Sequence, residues 1–206
     1  MLRIWGRLNS VNVQKVMWTV GELGLAHERV DAGRGYGVND EPWFLEMNPN
    51  GTIPTIDDDG TVVWESNVVV RYLAAKYGAG TLWPEEPGAR ARADMWMDWQ
   101  QTILDRPMHP LFWQLVRTPE AERDPALVGD AEARCAKAFA LLNHHLEGRA
   151  YVAGDQLTMG DIPVGALTYR WYALPIEHPE LPHLVAWYER LTARPAFREH
   201  AMIPLS

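Results

Sequence analysis

The sequence predicts an α/β N-terminal unit followed by an all-α helical bundle, and three observations lead there. Over residues 1–78, short alternating or β-branched runs are interleaved with apolar stripes that recur every three and four positions. From Gly78 to Pro87 the composition turns to Gly, Pro and Glu, the character of a linker. Beyond it every periodic segment is helical. One unit is therefore expected over 1–78 and a second over 88–206.

Taken in order, Leu2-Arg3-Ile4-Trp5 alternates and is closed by Gly6, as a short strand would be. Val13, Val16, Met17, Val20 and Leu23 form one face of a helix that begins at Val11 and stops at Gly24. His27–Val30 reads as a second strand and Asp31–Asp40 as an irregular loop. Glu41–Met47 reads as a short helix ended by the turn-forming Asn48-Pro49-Asn50-Gly51. A hairpin follows, with Thr52–Ile56 and Thr61–Trp64 as strands and Asp57-Asp58-Asp59-Gly60 as its turn. Val68, Val69, Tyr72, Leu73 and Tyr77 then mark a helix halted by Gly78.

In the second half, Ala89 to about Val116 is a long helical segment that Pro107 and Pro110 should bend or interrupt. Asp130–Leu146 is the next helix. Thr158-Met159-Gly160-Asp161 is a capping box at the head of another, with Pro163 placed where it should cost a backbone hydrogen bond. Leu181–Leu191 and Pro195–His200 complete the bundle.

Composition narrows the function. With 47% hydrophobic residues the chain can bury a real core, and no run approaches the roughly 18 apolar residues of a membrane span. The first ten residues lack the pattern of a secretory signal, so a soluble cytoplasmic protein is expected, with no membrane partner. A formal charge of −8 argues against a nucleic-acid partner, although an anionic small ligand is compatible if cations gather locally. One cysteine, Cys135, excludes an internal disulfide, Cys-x-x-Cys redox chemistry and a multi-thiolate zinc site. Any thiol chemistry must then use a thiol brought by a ligand. Neighbouring His144 and His145 point apart on a helix, and with His109 they make no metal pattern. Ten tryptophans imply aromatic packing, an aromatic-lined pocket, or both.

Four segments, in this order and spacing, are similar to the cytosolic glutathione transferases, bacterial members included, and the resemblance covers essentially the whole chain. They are Asn9–Val16, Asn48–Pro54, Trp64–Asn67 continued by Arg71-Tyr72-Leu73, and Leu157–Ile162. The resemblance implies a thioredoxin-like N-terminal domain that binds glutathione and a helical domain that completes the pocket for a second, apolar electrophile. It also implies a homodimer, a detoxifying role, and no cofactor beyond glutathione as co-substrate.

Residue by residue, the resemblance implies that Ser10, ahead of the first helix, donates its hydroxyl to the glutathione sulfur, with Asn12 as a second donor. A hydroxyl beside a helix N-terminus favours a thiolate; on spacing alone Ser10 reads first as an ordinary N-cap, and it is the other three segments that favour the catalytic role. Pro54 is expected to be cis, presenting the Ile53 peptide to the cysteinyl unit, with Asn50 and Thr52 in the same loop. Glu65 would pair with the γ-glutamyl ammonium, and Ser66 with its carboxylate. No cation stands in the loop before Ile53, so the glycyl carboxylate falls to Asn50, Trp43, Arg34 or Lys15. Asn67 stands where some classes keep an arginine. Met108, Phe112, Trp113, Trp171 and Tyr172 are the expected lining of the electrophile pocket. Thr158 and Asp161 are read as structural. The absence of cysteine at position 10 favours conjugation or peroxide chemistry. The alternatives are glutathione-dependent disulfide or dehydroascorbate reduction, and a non-catalytic ligand-binding protein of the same fold.

Overall fold

The computed structural model describes all 206 residues. Its first half is a four-stranded sheet of order β2-β1-β3-β4 built from β1 (Leu2–Trp5), β2 (His27–Val30), β3 (Thr55–Asp58) and β4 (Thr61–Trp64). β1 runs parallel to β2, pairing Leu2 with His27. It runs antiparallel to β3, pairing Ile4 with Ile56. The β1–β2 crossover is α1 (Val11–Leu23), which packs beside α3 (Ser66–Tyr77). Leu2, Ile4, Val13, Val16, Ile56, Val69 and Leu73 form a small core between sheet and helices. This strand-helix-strand, hairpin-helix arrangement is the thioredoxin-like fold. α2 (Pro42–Met47) lies between β2 and β3, and the intervening loop holds one 3₁₀ turn, Arg34–Tyr36.

The hairpin differs from its expected form. The turn is two residues, Asp59 and Gly60, both at positive φ (51° and 91°), the conformation that matches strand twist. Asp57 and Asp58 belong to β3 instead. Asp58 can sit in a strand because its buried carboxylate accepts bonds from Tyr72 (2.9 Å), Lys76 (2.7 Å) and Tyr77 (2.9 Å) of α3. These donors hold the Asp58 carboxyl below its ordinary range, even though burial alone pushes it up.

In the second half, α4 (Pro87–Trp99) and α5 (Asp105–Phe112) form one continuous rod through π-helical turns at Gln100–Leu104 and Trp113–Arg117. Pro107 and Pro110 therefore do not interrupt it; in the wider turns the backbone pairs five residues apart, as Asp105 N–H does with the Gln100 carbonyl. α6 (Pro125–His145) starts five residues earlier than the apolar stripe suggested, because Asp124 accepts from the Ala126 and Leu127 amides with Pro125 in first position. α7 (Asp161–Ala173), α8 (Pro182–Thr192) and α9 (Pro195–His200) complete the bundle. Pro163 costs little. It is the third residue of α7, and the Met159 carbonyl it cannot serve takes the Ile162 N–H at 3.3 Å.

The two halves share a core. Trp18 of α1 and Val70 and Ala74 of α3 belong to the same apolar cluster as Phe139, Trp171, Trp187 and Phe197. Even the Gly78–Pro87 segment is docked, with Leu82 buried and its carbonyl accepting the Met159 amide. The groove between the β1–α1 loop and the α5–α7 wall is thus held by rigid elements on both sides.

Candidate active site

Ser10 precedes α1 with extended backbone angles (φ −87°, ψ 122°), the geometry of an N-cap, yet its side chain makes no capping bond. The first intrahelical acceptor is the Ser10 carbonyl, which receives the Gln14 amide at 2.9 Å. The Val11, Asn12 and Val13 amides consequently stay open at the helix N-terminus, next to an uncommitted hydroxyl. Ordinary capping would have consumed that hydroxyl. Asn12 is linked to the other end of the expected glutathione site, its Oδ1 accepting from Ser66 Oγ at 3.1 Å. Its Nδ2 group has no partner in the protein.

The Ile53–Pro54 bond is cis. Ile53 lies outside β3, and neither its N–H nor its C=O pairs within the chain. The loop that presents it is organised by Asn48, a fully buried residue that sequence reading took only as part of a turn. Asn48 Nδ2 donates to the Thr52 carbonyl (3.0 Å) and to Thr55 Oγ1 (3.0 Å), while its Oδ1 takes the Asn50 amide (3.1 Å). Thr52 and Asn50 are therefore tied inward through Asn48. The signal was an Asn two residues before another Asn in a turn, the pattern of an Asx-type bond.

Glu65 caps α3 at φ 67°, ψ 110°, a backbone region costing a non-glycine residue roughly 1–3 kcal/mol that clusters at functional sites. Its carboxylate has neither a hydrogen bond nor an ion pair in the chain. Ser66 is buried beside it at the head of α3, where the first amides are free.

Lys15 does not reach toward a glycyl carboxylate. It is buried between the halves, donating to Asn67 Oδ1 (3.3 Å) and Gln100 Oε1 (3.0 Å), and Asn67 in turn donates to the Met97 carbonyl (3.0 Å). Burial lowers its ammonium to about 8, against the attraction of Asp105 and Glu65. Trp43 is exposed, tilted against Trp5 and edge-on to Phe44.

The cleft beside Ser10 holds about 170 Å³ and is lined by Asn9, Asn12, His109, Phe112, Trp113 and a set of arginines. Of the five residues expected to line an electrophile pocket, Phe112 and Trp113 line this cleft. Met108 and Trp171 are 1% and 0% exposed, on the inward face of their helices in the core. Tyr172 packs on His178 and Tyr188 and does not line the cleft. Nor does Cys135, which is buried in the helical core with its thiol pushed up to about 12 by desolvation.

Residues 9–76 match the family model for the glutathione S-transferase N-terminal domain, and residues 104–195 match that for the C-terminal domain. The chain is 42% identical to glutathione S-transferase GstB of Escherichia coli strain K12, over the full length of both. It is 33% identical to glutathione S-transferase 3 of Zea mays, covering 99% of this chain and 95% of that one. Among solved structures, the theta class glutathione S-transferase of Xanthomonas axonopodis pv. citri with glutathione bound superposes with a TM-score of 0.96 at 45% identity, over 100% of this chain and 99% of that chain. Matched in both halves and along its whole length, the chain belongs to the glutathione S-transferase family.

Proposed function

We propose that this glutathione transferase binds glutathione across the first half of the cleft and forms its thiolate beside Ser10. The observation that carries the reading is a set of uncommitted groups matching the tripeptide. They are the Ser10 hydroxyl with the α1 amides for sulfur, the open Ile53 peptide for the cysteinyl unit, and the unpaired Glu65 carboxylate for the ammonium. Ser66 and the α3 amides take the γ-glutamyl carboxylate, and Asn12 is positioned through Ser66. A free thiol titrates near 8.5, so a hydroxyl donor and a helix N-terminus that favour the anion raise the nucleophile fraction at neutral pH.

The thiolate then attacks an electrophilic carbon. The new C–S bond takes the sulfur electron pair, and the leaving group departs with the pair of its broken bond. With a peroxide, sulfur attacks one oxygen, the O–O bond breaks and the other oxygen leaves as the alcohol after protonation; a second glutathione then reduces the glutathione sulfenic acid to the disulfide and water. Disulfide reduction by a thiol of the chain is disfavoured by the burial of Cys135, its one cysteine. An ultraviolet titration of the purified protein with glutathione tests the reading. A thiolate band well below the free-thiol range is expected, and binding without it would point to a carrier.

Glu65→Gln should raise the KM for glutathione by about tenfold with kcat little changed, because the pairing it removes is made equally in ground and transition states. An equal fall in kcat would place Glu65 in the chemistry instead.

The homodimer expected from the family has support in an apolar surface spanning two helices, with Met95 of α4 and Leu141 of α6 exposed at 60% and 54%. Sedimentation equilibrium should return twice the 23.4 kDa chain mass, and Met95→Asp with Leu141→Asp should shift it to one. A cytoplasmic, detoxifying role follows from the family resemblance. Electrophile sensitivity of a deletion strain, restored by the active chain alone, tests it.

A further inference from the structure

Four arginines converge on the cleft beside Ser10, from four separate parts of a chain whose formal charge is −8. Arg7 comes from the β1–α1 loop, Arg34 from the loop after β2, Arg117 from the end of the α5 rod and Arg170 from α7. None forms an ion pair with an Asp or Glu side chain. Arg170 is 8% exposed and donates only to the Asn9 carbonyl (3.2 Å), while Arg117 donates to the Ser206 main-chain oxygen (2.8 Å). The Nε atoms of Arg7, Arg117 and Arg170 are buried without an acceptor.

The four groups act on one another. Arg34 and Arg117 both lie over the Trp113 ring at 5.4 Å, and Arg117 and Arg170 lie over Phe112 at 5.2 and 4.2 Å. Burial, then the charge of Arg34, lowers the Arg7 pKa; burial and Arg7 bring that of Arg170 to about 10, with Asp105 the compensating acid nearby. Like charges gathered in a partly desolvated site are unfavourable unless an anion joins them.

We infer that the second-substrate cleft is built for a small electrophile bearing its own anionic group, a carboxylate or sulfonate, rather than for a neutral apolar one. The inference rests on the glutathione reading above. The two aromatic rings provide a platform for the body of the substrate and the guanidinium groups a counter-charge within reach of the thiolate. Glutathione alone does not account for the cluster. Its γ-glutamyl end is met at α3, which leaves one glycyl carboxylate for four guanidinium groups, two of them from the helical half.

The test is a matched pair of aryl halides, 4-chloro-3,5-dinitrobenzoate and its neutral amide, which lose the same chloride to the same thiolate. The acid should be conjugated with a kcat/KM at least about tenfold above that of the amide, relative to their uncatalysed rates, and 0.5 M salt should erode this advantage. Arg7→Gln should cut the ratio several-fold while conjugation of the amide persists, and Arg7→Lys should restore part of it. Equal turnover of acid and amide by the parent enzyme would overturn the inference and leave the glutathione reading standing. So would an Arg7→Gln or Arg34→Gln variant that altered only the discrimination between glutathione and its glycyl ethyl ester, since the cations would then serve the co-substrate. Failure of both halides, with no thiolate band on adding glutathione, would remove both readings together.

Discussion

Ser10→Ala is expected to lower kcat/KM for conjugation by about tenfold to a hundredfold and to leave the fold and the affinity for glutathione in its thiol form nearly unchanged. The magnitude is that of one hydrogen bond to a charged acceptor, about 1.5–3 kcal/mol. Its sign follows from the local geometry. The hydroxyl caps nothing, so its removal does not release a helix end, and the open Val11 to Val13 amides remain. What is lost is one donor that stabilises the sulfur anion more than the thiol. The ultraviolet titration separates this from a binding effect. In the variant the thiolate band should move up toward the free-thiol value of about 8.5, while the glutathione concentration at half-saturation stays put at acid pH, where the bound sulfur is a thiol in both proteins. Retention of conjugation within about twofold would transfer the role to Asn12, whose Nδ2 is also free. Ser10→Thr keeps a hydroxyl and should recover most of the loss.

The fold was legible where each element carries its own stop signal. α1 ends at Gly24 in the left-handed conformation, α2 ends at Asn48 and α3 at Gly78. It was illegible where a side chain finds its partner far along the chain. Asp58 reads as a turn residue until Tyr72, Lys76 and Tyr77 supply its three donors. The same distinction divides the site. Ser10, Ile53-Pro54 and Glu65-Ser66 sit at element boundaries, where the family resemblance singled them out. The cleft opposite them does not. Met108 and Trp171 fit an apolar stripe as well as Phe112 and Trp113 do, and only tertiary packing turns two inward and two toward the cleft. Arg7, Arg34, Arg117 and Arg170 are isolated in sequence, so a whole-chain charge of −8 conceals a cleft where four cations meet.

Asp161→Ala should have the largest effect on stability of any single change in the helical half. The carboxylate is fully buried and accepts from four donors: the Val152 amide (3.0 Å), the Thr158 amide (2.9 Å), Thr158 Oγ1 (3.2 Å) and Trp187 Nε1 (3.0 Å). It thereby ties the start of α7 to the preceding loop and to α8, which is more than the capping box that its spacing suggested. Removing the acceptor leaves buried donors unpaired, a class of change costing about 3–5 kcal/mol. For a chain of this size that corresponds to a fall in Tm of roughly 6–20 °C. Activity per folded molecule at low temperature should be retained, which separates a structural role from a catalytic one. Asp161→Asn keeps the shape and gives the pH reference. Burial pushes the native carboxyl up from 3.8 to about 6, against the four donors. Between those values the native state therefore binds more protons than the unfolded chain, and this group's contribution to stability falls as pH rises through the window. Urea titrations of both proteins should show the advantage of Asp161 over Asn shrinking from about pH 4 to about pH 6 and staying level above it. The opposite trend would mean that the four donors outweigh burial and hold the carboxylate ionised throughout.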